Sequence, residues 1–264
     1  MNIQNIPRSD KVVKRSFRPK LDALLYFDYE QIELRLLAYY MASLGDPSMA
    51  SAIWDGKDLH TESAMAALGL PSVTDEQRQV GKTLNFSMVY GGGRPTLMKQ
   101  LGISFEEAGQ LLRKFHARWP GIQLVQNVIS EQIAARTTPD EPGYITTLWG
   151  RHLHPESDHK ALNALVQGCA ADLMRAALVK VHRHLDSNLM ASHLVNQVHD
   201  ELQIDAVASE IPYLVEVVPR LMDHPPVSEI VPIGTDCEIS FSTWADKQAY
   251  DREETYGGRV LAVA

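Results

Sequence analysis

Five consecutive apolar positions, Ala23 to Phe27, run up to an aspartate, Asp28. A short unbroken apolar run bounded by a polar residue predicts a buried strand. Beyond it, Ile32, Leu36, Tyr39 and Tyr40 recur at helical spacing through Ala42, so Asp28 is expected where a strand hands over to a helix. The pattern then turns helical for a long stretch. Leu59 to Leu68 is Ala-rich and closes on Gly69 and Pro71, and Thr74 with Gln77 forms a capping-box pattern ahead of a helix that Gly91-Gly92-Gly93 ends. Phe105 to Trp119 and Ile122 to Arg136 predict two more helices, parted by Pro120-Gly121. After a break at Pro139 to Pro142, Tyr144 to Leu148 has a strand's composition, and Ala161 to Leu185 predicts a long amphipathic helix. Leu194–Val198 and Leu202–Val207 are two short β-type runs separated by His199-Asp200-Glu201, a tight hairpin with an acid at its turn. Strands thus flank a helix-rich middle. The expected fold is α+β, an antiparallel sheet carrying a helical insertion.

Composition changes this picture little. The 264 residues are 45% hydrophobic and 22% charged, ordinary globular values, and Cys169 and Cys237 show no metal or redox spacing, as expected of a reduced, intracellular protein. The first residues contain no apolar leader and no run approaches 18 apolar residues, so neither secretion nor membrane insertion is expected. Charge is more informative. The net charge is −8, but residues 200–246 hold ten acidic side chains against one basic, Arg220, leaving the rest of the chain near neutrality. The first twenty residues carry Arg8, Lys11, Lys14, Arg15, Arg18 and Lys20 against Asp10 alone. Such a segment can meet phosphates, or be a solvated basic tail.

Candidate chemistry begins with Arg78, Lys82, Phe86 and Tyr90, spaced four residues apart. Each step drifts only about 40° around a helix, so the four share one broad face. Two cations near a helix N-terminus suit a polyphosphate, and two aromatics one and two turns later can support a base by stacking. Taken alone, an Arg/Lys pair is more often a solvated face and a Phe/Tyr pair more often core.

Further residues decide between these readings. Asp28-Tyr29-Glu30-Gln31-Ile32-Glu33-Leu34-Arg35 resembles the DYSQIELR signature of family A (DNA polymerase I-like) DNA polymerases. Residues 78–91, RQVGKTLNFSMVYG, resemble their second motif, RRxxKxxNFGxxYG, and Val198-His199-Asp200-Glu201-Leu202 is identical to their third, VHDEL. Asn2 to Pro7 resembles the NLQNIP element, Asn163 to Asp172 the N-x-x-x-QG-x-AAD helix, and Trp244-Ala245-Asp246 the WDEA-type ending. The likeness holds the family's order and covers about residues 1–246.

The resemblance implies a polymerase palm with an antiparallel sheet plus a helical fingers insertion: palm at 1–48, fingers at 49–143, palm again at 144–246, and a tail at 247–264 without a match. It implies DNA-templated addition of dNTPs to a primer 3′-hydroxyl by a two-metal mechanism. Phosphoryl transfer asks mainly for positioning and charge stabilisation, and two divalent ions about 3.5–4 Å apart supply it. Two Mg²⁺ ions, with Mn²⁺ able to substitute, would be held by Asp28, Asp200 and the Tyr29 carbonyl. Arg78 and His60 would contact the triphosphate, and Lys82 would bind it and serve as general acid. Phe86 would pack against the nucleotide, Tyr90 would lie near the templating pair, and Glu33 would be the steric gate against ribose. Gln4, Asn5, Asn163, Gln167 and His199 would touch primer or template, mostly through the minor groove. For His60, Asn163 and Gln167 a purely structural hydrogen-bonding role is the alternative, and Glu201 has no assigned role.

Several positions depart from the family pattern: Gln79, Ser87, Glu30 and Asp158-His159. None removes a catalytic group, and Phe86 in place of Tyr implies discrimination against dideoxynucleotides. No thumb, proofreading or 5′-nuclease segment matches, which a split polymerase and an engineered truncation explain alike; a separate polypeptide supplying thumb and exonuclease therefore joins primer-template DNA and dNTPs among the expected partners. No membrane partner is expected, and the expected location is the cytoplasm, at the nucleoid or in a host cell if phage-encoded. A single-subunit RNA polymerase and a catalytically quiet subunit are the alternatives. Glu33 argues against the first, and the presence of Asp28, Asp200 and Lys82 against the second.

Overall fold

The computed structural model describes residues 6–7 and 10–250. It divides into two compact units, one of residues 1–30, 171–224 and 233–264, the other of residues 31–170 and 225–232.

The first unit is built on a five-stranded antiparallel sheet in the order β4-β5-β1-β6-β7. Its strands are β1 (Ala23–Tyr29), β4 (His193–Val198), β5 (Glu201–Ala206), β6 (Thr235–Ser240) and β7 (Gln248–Ala249), with β2 (Ile145–Thr146) and β3 (His152–Leu153) forming a separate short hairpin in the other unit. The apolar run is the central strand, which continues through Asp28 to Tyr29 rather than ending at the aspartate, because β6 and β5 pair along its whole length. Register then separates two faces. Leu25 lies between Ile204 and Ile239, and Phe27 between Leu202 and Cys237, giving one apolar face. On the other face Leu24 lies between Asp205 and Ser240, Tyr26 between Gln203 and Glu238, and Asp28 between Glu201 and Asp236. Among the described residues, helix α1 (Lys11–Lys14), the C-terminal half of α9 (Asp158–Ser187) and α10 (Ile211–Met222) complete this unit. The Tyr29 hydroxyl donates to the Met222 carbonyl at 2.6 Å, fastening α10 to the end of β1. On the acidic face, Trp244 packs with Leu24, Tyr26 and Phe17.

The second unit is helical: α2 (Ile32–Ser43), α3 (Ser48–Trp54), α4 (Leu59–Leu68), α5 (Asp75–Val89), α6 (Arg94–Leu101), α7 (Phe105–Arg118), α8 (Gly121–Arg136), the start of α9, and α11 (Pro225–Ser228). Its core includes Leu36, Met41, Leu84, Phe115, Trp119 and Ile122. The capping box of α5 forms, with Gln77 N–H on Thr74 Oγ1 at 3.3 Å and Thr74 N–H on Gln77 Oε1 at 3.0 Å. Gly81 sits in that helix at about 1 kcal/mol of intrinsic cost relative to Ala. The close approach of α4 explains it: a Cβ there would collide with the His60 carbonyl and the Ala64 N–H.

One expectation is corrected. Tyr144 to Leu148 yields only the two-residue β2, since its partner β3 is equally short. The helix α9 has the length and composition of a membrane-crossing helix, a property that buried core helices share, and half of that stretch is buried within the protein.

Candidate active site

In the first unit the β4–β5 hairpin turns over two residues, His199 and Asp200, with His199 in the left-handed region at φ 53°. Non-glycine residues reach that region at a cost and do so most often at sites held by the surrounding structure. Here Gln197 Nε2 donates to the His199 carbonyl at 2.5 Å, and the Tyr29 N–H donates to the Asp200 carbonyl at 3.1 Å. Those two bonds hold the turn beside the end of β1, where the charge of Asp200 bears on the Asp28 carboxyl.

The acids of this face are not equivalent. Asp205 accepts from the Lys20 and Leu21 N–H groups at 3.0 and 3.1 Å. Glu201 accepts from Gln203 Nε2 at 2.7 Å and from Lys247 Nζ at 2.8 Å, and Lys247 also pairs with Glu238 while lying over the Tyr26 ring. Burial would lower the Lys247 ammonium, but Glu201 and Glu238 raise it overall. Asp28 differs: its Oδ1 is buried without a hydrogen-bond partner. Burial, then the charges of Asp200 and Glu201, push its carboxyl well above the ordinary carboxylate range, and Lys247 offsets only part of this. Two crowded carboxylates with an unsatisfied buried oxygen suit a hard divalent cation, which takes oxygen ligands. The Tyr29 side chain goes into the core, so only its backbone carbonyl could join them. The Glu30 carboxylate lies against Gly234, whose missing Cβ leaves it room. Among the described residues no group of three or more His, Cys, Asp or Glu side chains forms a metal cluster, so a site here would rest on the two aspartates and backbone or substrate oxygens.

In the second unit α5 presents its four spaced residues as one track. Arg78 meets Asp58 in a bidentate pair, Nε to Oδ1 at 2.8 Å and Nη2 to Oδ2 at 2.7 Å. Burial alone would raise the Asp58 carboxyl, yet hydrogen bonds from Arg78 and Thr61 hold it below the usual range. Asp58 also caps α4 by accepting from Thr61 N–H at 2.7 Å, a link signalled by an aspartate just before an apolar helix. Lys82 is exposed and forms no ion pair among the described residues. The His60 ring lies 5.7 Å from Phe86, and Phe86 stacks at 6.0 Å on Tyr90. The Tyr90 hydroxyl donates to Glu33 Oε2 at 3.1 Å, and Gln167 Nε2 donates to Glu33 Oε1 at 3.3 Å. Arg78, His60, Phe86, Tyr90, Glu33 and Gln167 are therefore joined by a succession of short steps across α2, α4, α5 and α9. Asn163 lies one turn before Gln167 with its Oδ1 buried and unpartnered.

Sequence reasoning missed Asp58 as the partner of Arg78 and Lys247 as the cation on Glu201. It also missed Ser63, Asn85 and Trp119, which tie His60 into the core. Burial drives the His60 imidazole down to about 4; Asp58 pulls the other way, and Arg78 and Lys82 add to the depression. Gln4, Asn5 and Arg8 lie outside the described residues.

A profile of DNA polymerase family A matches residues 1–246. DNA polymerase I of Geobacillus stearothermophilus is 31% identical over 265 residues, covering 93% of this chain and 29% of its own length. That of Caldicellulosiruptor bescii is 32% identical over 242 residues, covering 84% and 27%. Among solved structures, the POL domain of Pol1 from M. smegmatis, in complex with DNA primer-template and dNTP, matches at a TM-score of 0.79 and 27% identity, over 92% of this chain and 44% of that one. The chain thus spans under a third of the length of these curated relatives.

Proposed function

The chain belongs to DNA polymerase family A, and from that premise we propose that it carries the nucleotidyl-transfer site of a DNA-templated DNA polymerase, adding dNTPs to a primer 3′-hydroxyl with release of pyrophosphate. The observation that carries the proposal is Asp28. On a face where Asp205, Glu201 and Glu238 have N–H or cationic partners, this carboxylate keeps a buried, unpartnered oxygen against Asp200.

Asp28, Asp200 and the Tyr29 carbonyl would hold two divalent ions, Mg²⁺ or Mn²⁺. Bound there, such ions supply Lewis-acid activation of the 3′-hydroxyl and neutralise the leaving pyrophosphate. The remaining work falls to this chain's own side chains. Arg78, prealigned by Asp58, keeps donors for the triphosphate, since a guanidinium has five N–H groups. Lys82, exposed and without an ion pair among the described residues, binds the same phosphates and donates a proton to the departing pyrophosphate as general acid. Phe86 packs against the incoming nucleotide and Tyr90 stands by the templating pair. Glu33, held by Tyr90 and Gln167, crowds the ribose 2′ position and so favours deoxynucleotides over the RNA polymerase alternative. Asn163, Gln167 and His199, with Gln4 and Asn5, contact primer and template. In domain terms, 1–48 and 144–246 form the palm and 49–143 the fingers, working in the cytoplasm at the nucleoid or in a phage host.

Primer extension with the purified chain, dNTPs and Mg²⁺, beside Asp28→Ala and Asp200→Ala, tests this. Extension by the wild type and its loss in both variants is expected. A separate polypeptide supplying thumb and exonuclease is part of this reading, so the assay is repeated with such a fragment added in trans. A wild-type chain that extends no primer in either arm, at high enzyme and low salt, overturns the proposal.

A further inference from the structure

Trp119, Ser63, Asn85 and His60 form a hydrogen-bonded chain through the interior of the helical unit, each residue no more than 4% exposed. Its direction is fixed at one end. The indole Nε1–H of Trp119 can only donate, and it meets Ser63 Oγ at 2.9 Å. With a lone pair so occupied, the Ser63 hydroxyl turns its own proton to Asn85 Oδ1 at 2.8 Å. That assigns the Asn85 amide: Oδ1 accepts, so Nδ2 is the donor, and it bonds the Leu59 carbonyl at 3.2 Å. The second contact of Nδ2 is His60 Nδ1 at 2.8 Å. A nitrogen facing a donor must accept, so Nδ1 carries the lone pair and the proton sits on Nε2. A doubly protonated ring would set Nδ1–H against the Asn85 amide. Asp58, beside His60 in the chain, favours the cation, whereas Arg78 and Lys82 on α5 oppose it. Among the described residues, no acceptor meets Nε2.

We infer that Trp119, Ser63 and Asn85 act as a one-way positioning relay that holds His60 as its neutral Nε2–H tautomer, offering an anionic phosphate a fixed, uncharged donor next to the cations of α5. The part concerning phosphate rests on the polymerase reading; the relay itself does not. The role differs from that of Arg78 and Lys82. A neutral donor adds a directional hydrogen bond without charge, so its contribution persists at salt concentrations that screen the cations.

Long-range ¹⁵N–¹H correlation of the uniformly labelled full chain tests the relay directly. The protein has ten histidines, and the signal missing in His60→Gln identifies the right one. At pH 7 the expected pattern is protonated Nε2 with bare Nδ1, unchanged as pH falls to about 5.5. A proton on Nδ1, or protonation of both ring nitrogens above that pH, overturns the inference. In Asn85→Asp the carboxylate cannot donate, so the proton is expected to move to Nδ1 or the ring to become a cation; an unchanged tautomer overturns the relay. The wild-type spectrum decides the tautomer by itself, so a variant that fails to fold removes nothing essential. Steady-state extension completes the test. His60→Leu is expected to raise KM for dNTP by roughly tenfold or more, with kcat changed less, whereas His60→Gln, which keeps a terminal N–H donor, restores most of the loss. Leu and Gln variants behaving alike would overturn the donor role. Absence of any extension by the wild type would instead count against the polymerase reading and leave the spectroscopic result standing.

Discussion

The sheet face around Asp28 and the helix face of α5 are both candidate functional surfaces, yet they are held in opposite ways. On the sheet, Asp28 stands between Glu201 and Asp236 across the strands and shares its position with Asp200. Like charges placed directly opposite destabilise a sheet, by some 0.2–1 kcal/mol each. Lys247 offsets two of the acids, Glu201 and Glu238, but Asp28 is left with an unsatisfied oxygen. On α5 Arg78 is compensated inside the protein by Asp58, and the face's aromatic and carboxylate members already touch. The sheet face thus leaves Asp28 with unrelieved repulsion and an unpartnered oxygen, while the residues of the helix face already hold one another in place.

The sharpest test of that contrast is kinetic. Asp28→Ala or Asp200→Ala should lower kcat for extension by on the order of 10³-fold, because metal-assisted charge stabilisation is worth several kcal/mol. Arg78→Ala should act mainly on KM for dNTP, by roughly ten- to a hundredfold. Equal kcat losses in both regions would erase the distinction. Next in size is Gly81→Ala. Its methyl group would push α4 and α5 apart, and urea unfolding should show a loss of about 1–3 kcal/mol or more; an unchanged midpoint would mean that the helix face does not depend on that close approach.

The third test uses pH. His60 stays neutral in the fold down to about 4, whereas the unfolded chain protonates it near the ordinary value of 6.5. The unfolded state therefore binds the proton first, so this contribution to stability is present above about pH 6.5 and is lost as the pH falls, by roughly 2 kcal/mol at pH 5. His60→Gln should flatten that part of the urea-midpoint profile; an identical slope in the variant would refute it. The smallest expected effect runs the other way. Asp28→Asn should raise the melting temperature of the metal-free protein by about 2–4 °C, from roughly 1 kcal/mol of relieved repulsion, while abolishing extension. A lower melting temperature would show that the face is not frustrated.

Much of the helix face was legible in the amino-acid sequence. The capping box at Thr74, the glycine stop after Tyr90 and the four-residue spacing of Arg78, Lys82, Phe86 and Tyr90 all lie within one short window. A helix is made of bonds four residues apart, so its periodicity and ends are local properties. The strand under Asp28 and the hairpin under Asp200 were legible for the same reason. What could not be read was which strands would flank them. β6, Thr235–Ser240, alternates polar and apolar residues without announcing itself, and only pairing with β1 places Asp236 beside Asp28 and Glu238 beside Tyr26. Lys247, the Asp58–Arg78 pair and the relay to His60 likewise join residues distant in the chain; Lys20 and Asp205, joined by a hydrogen bond, are 185 positions apart. Sequence alone therefore determined the local elements, their caps and the family motifs they carry. The acidic face, the place of Lys247 on it and the tautomer of His60 were decided by tertiary structure, because strand register and buried hydrogen-bond direction exist only once distant segments have met.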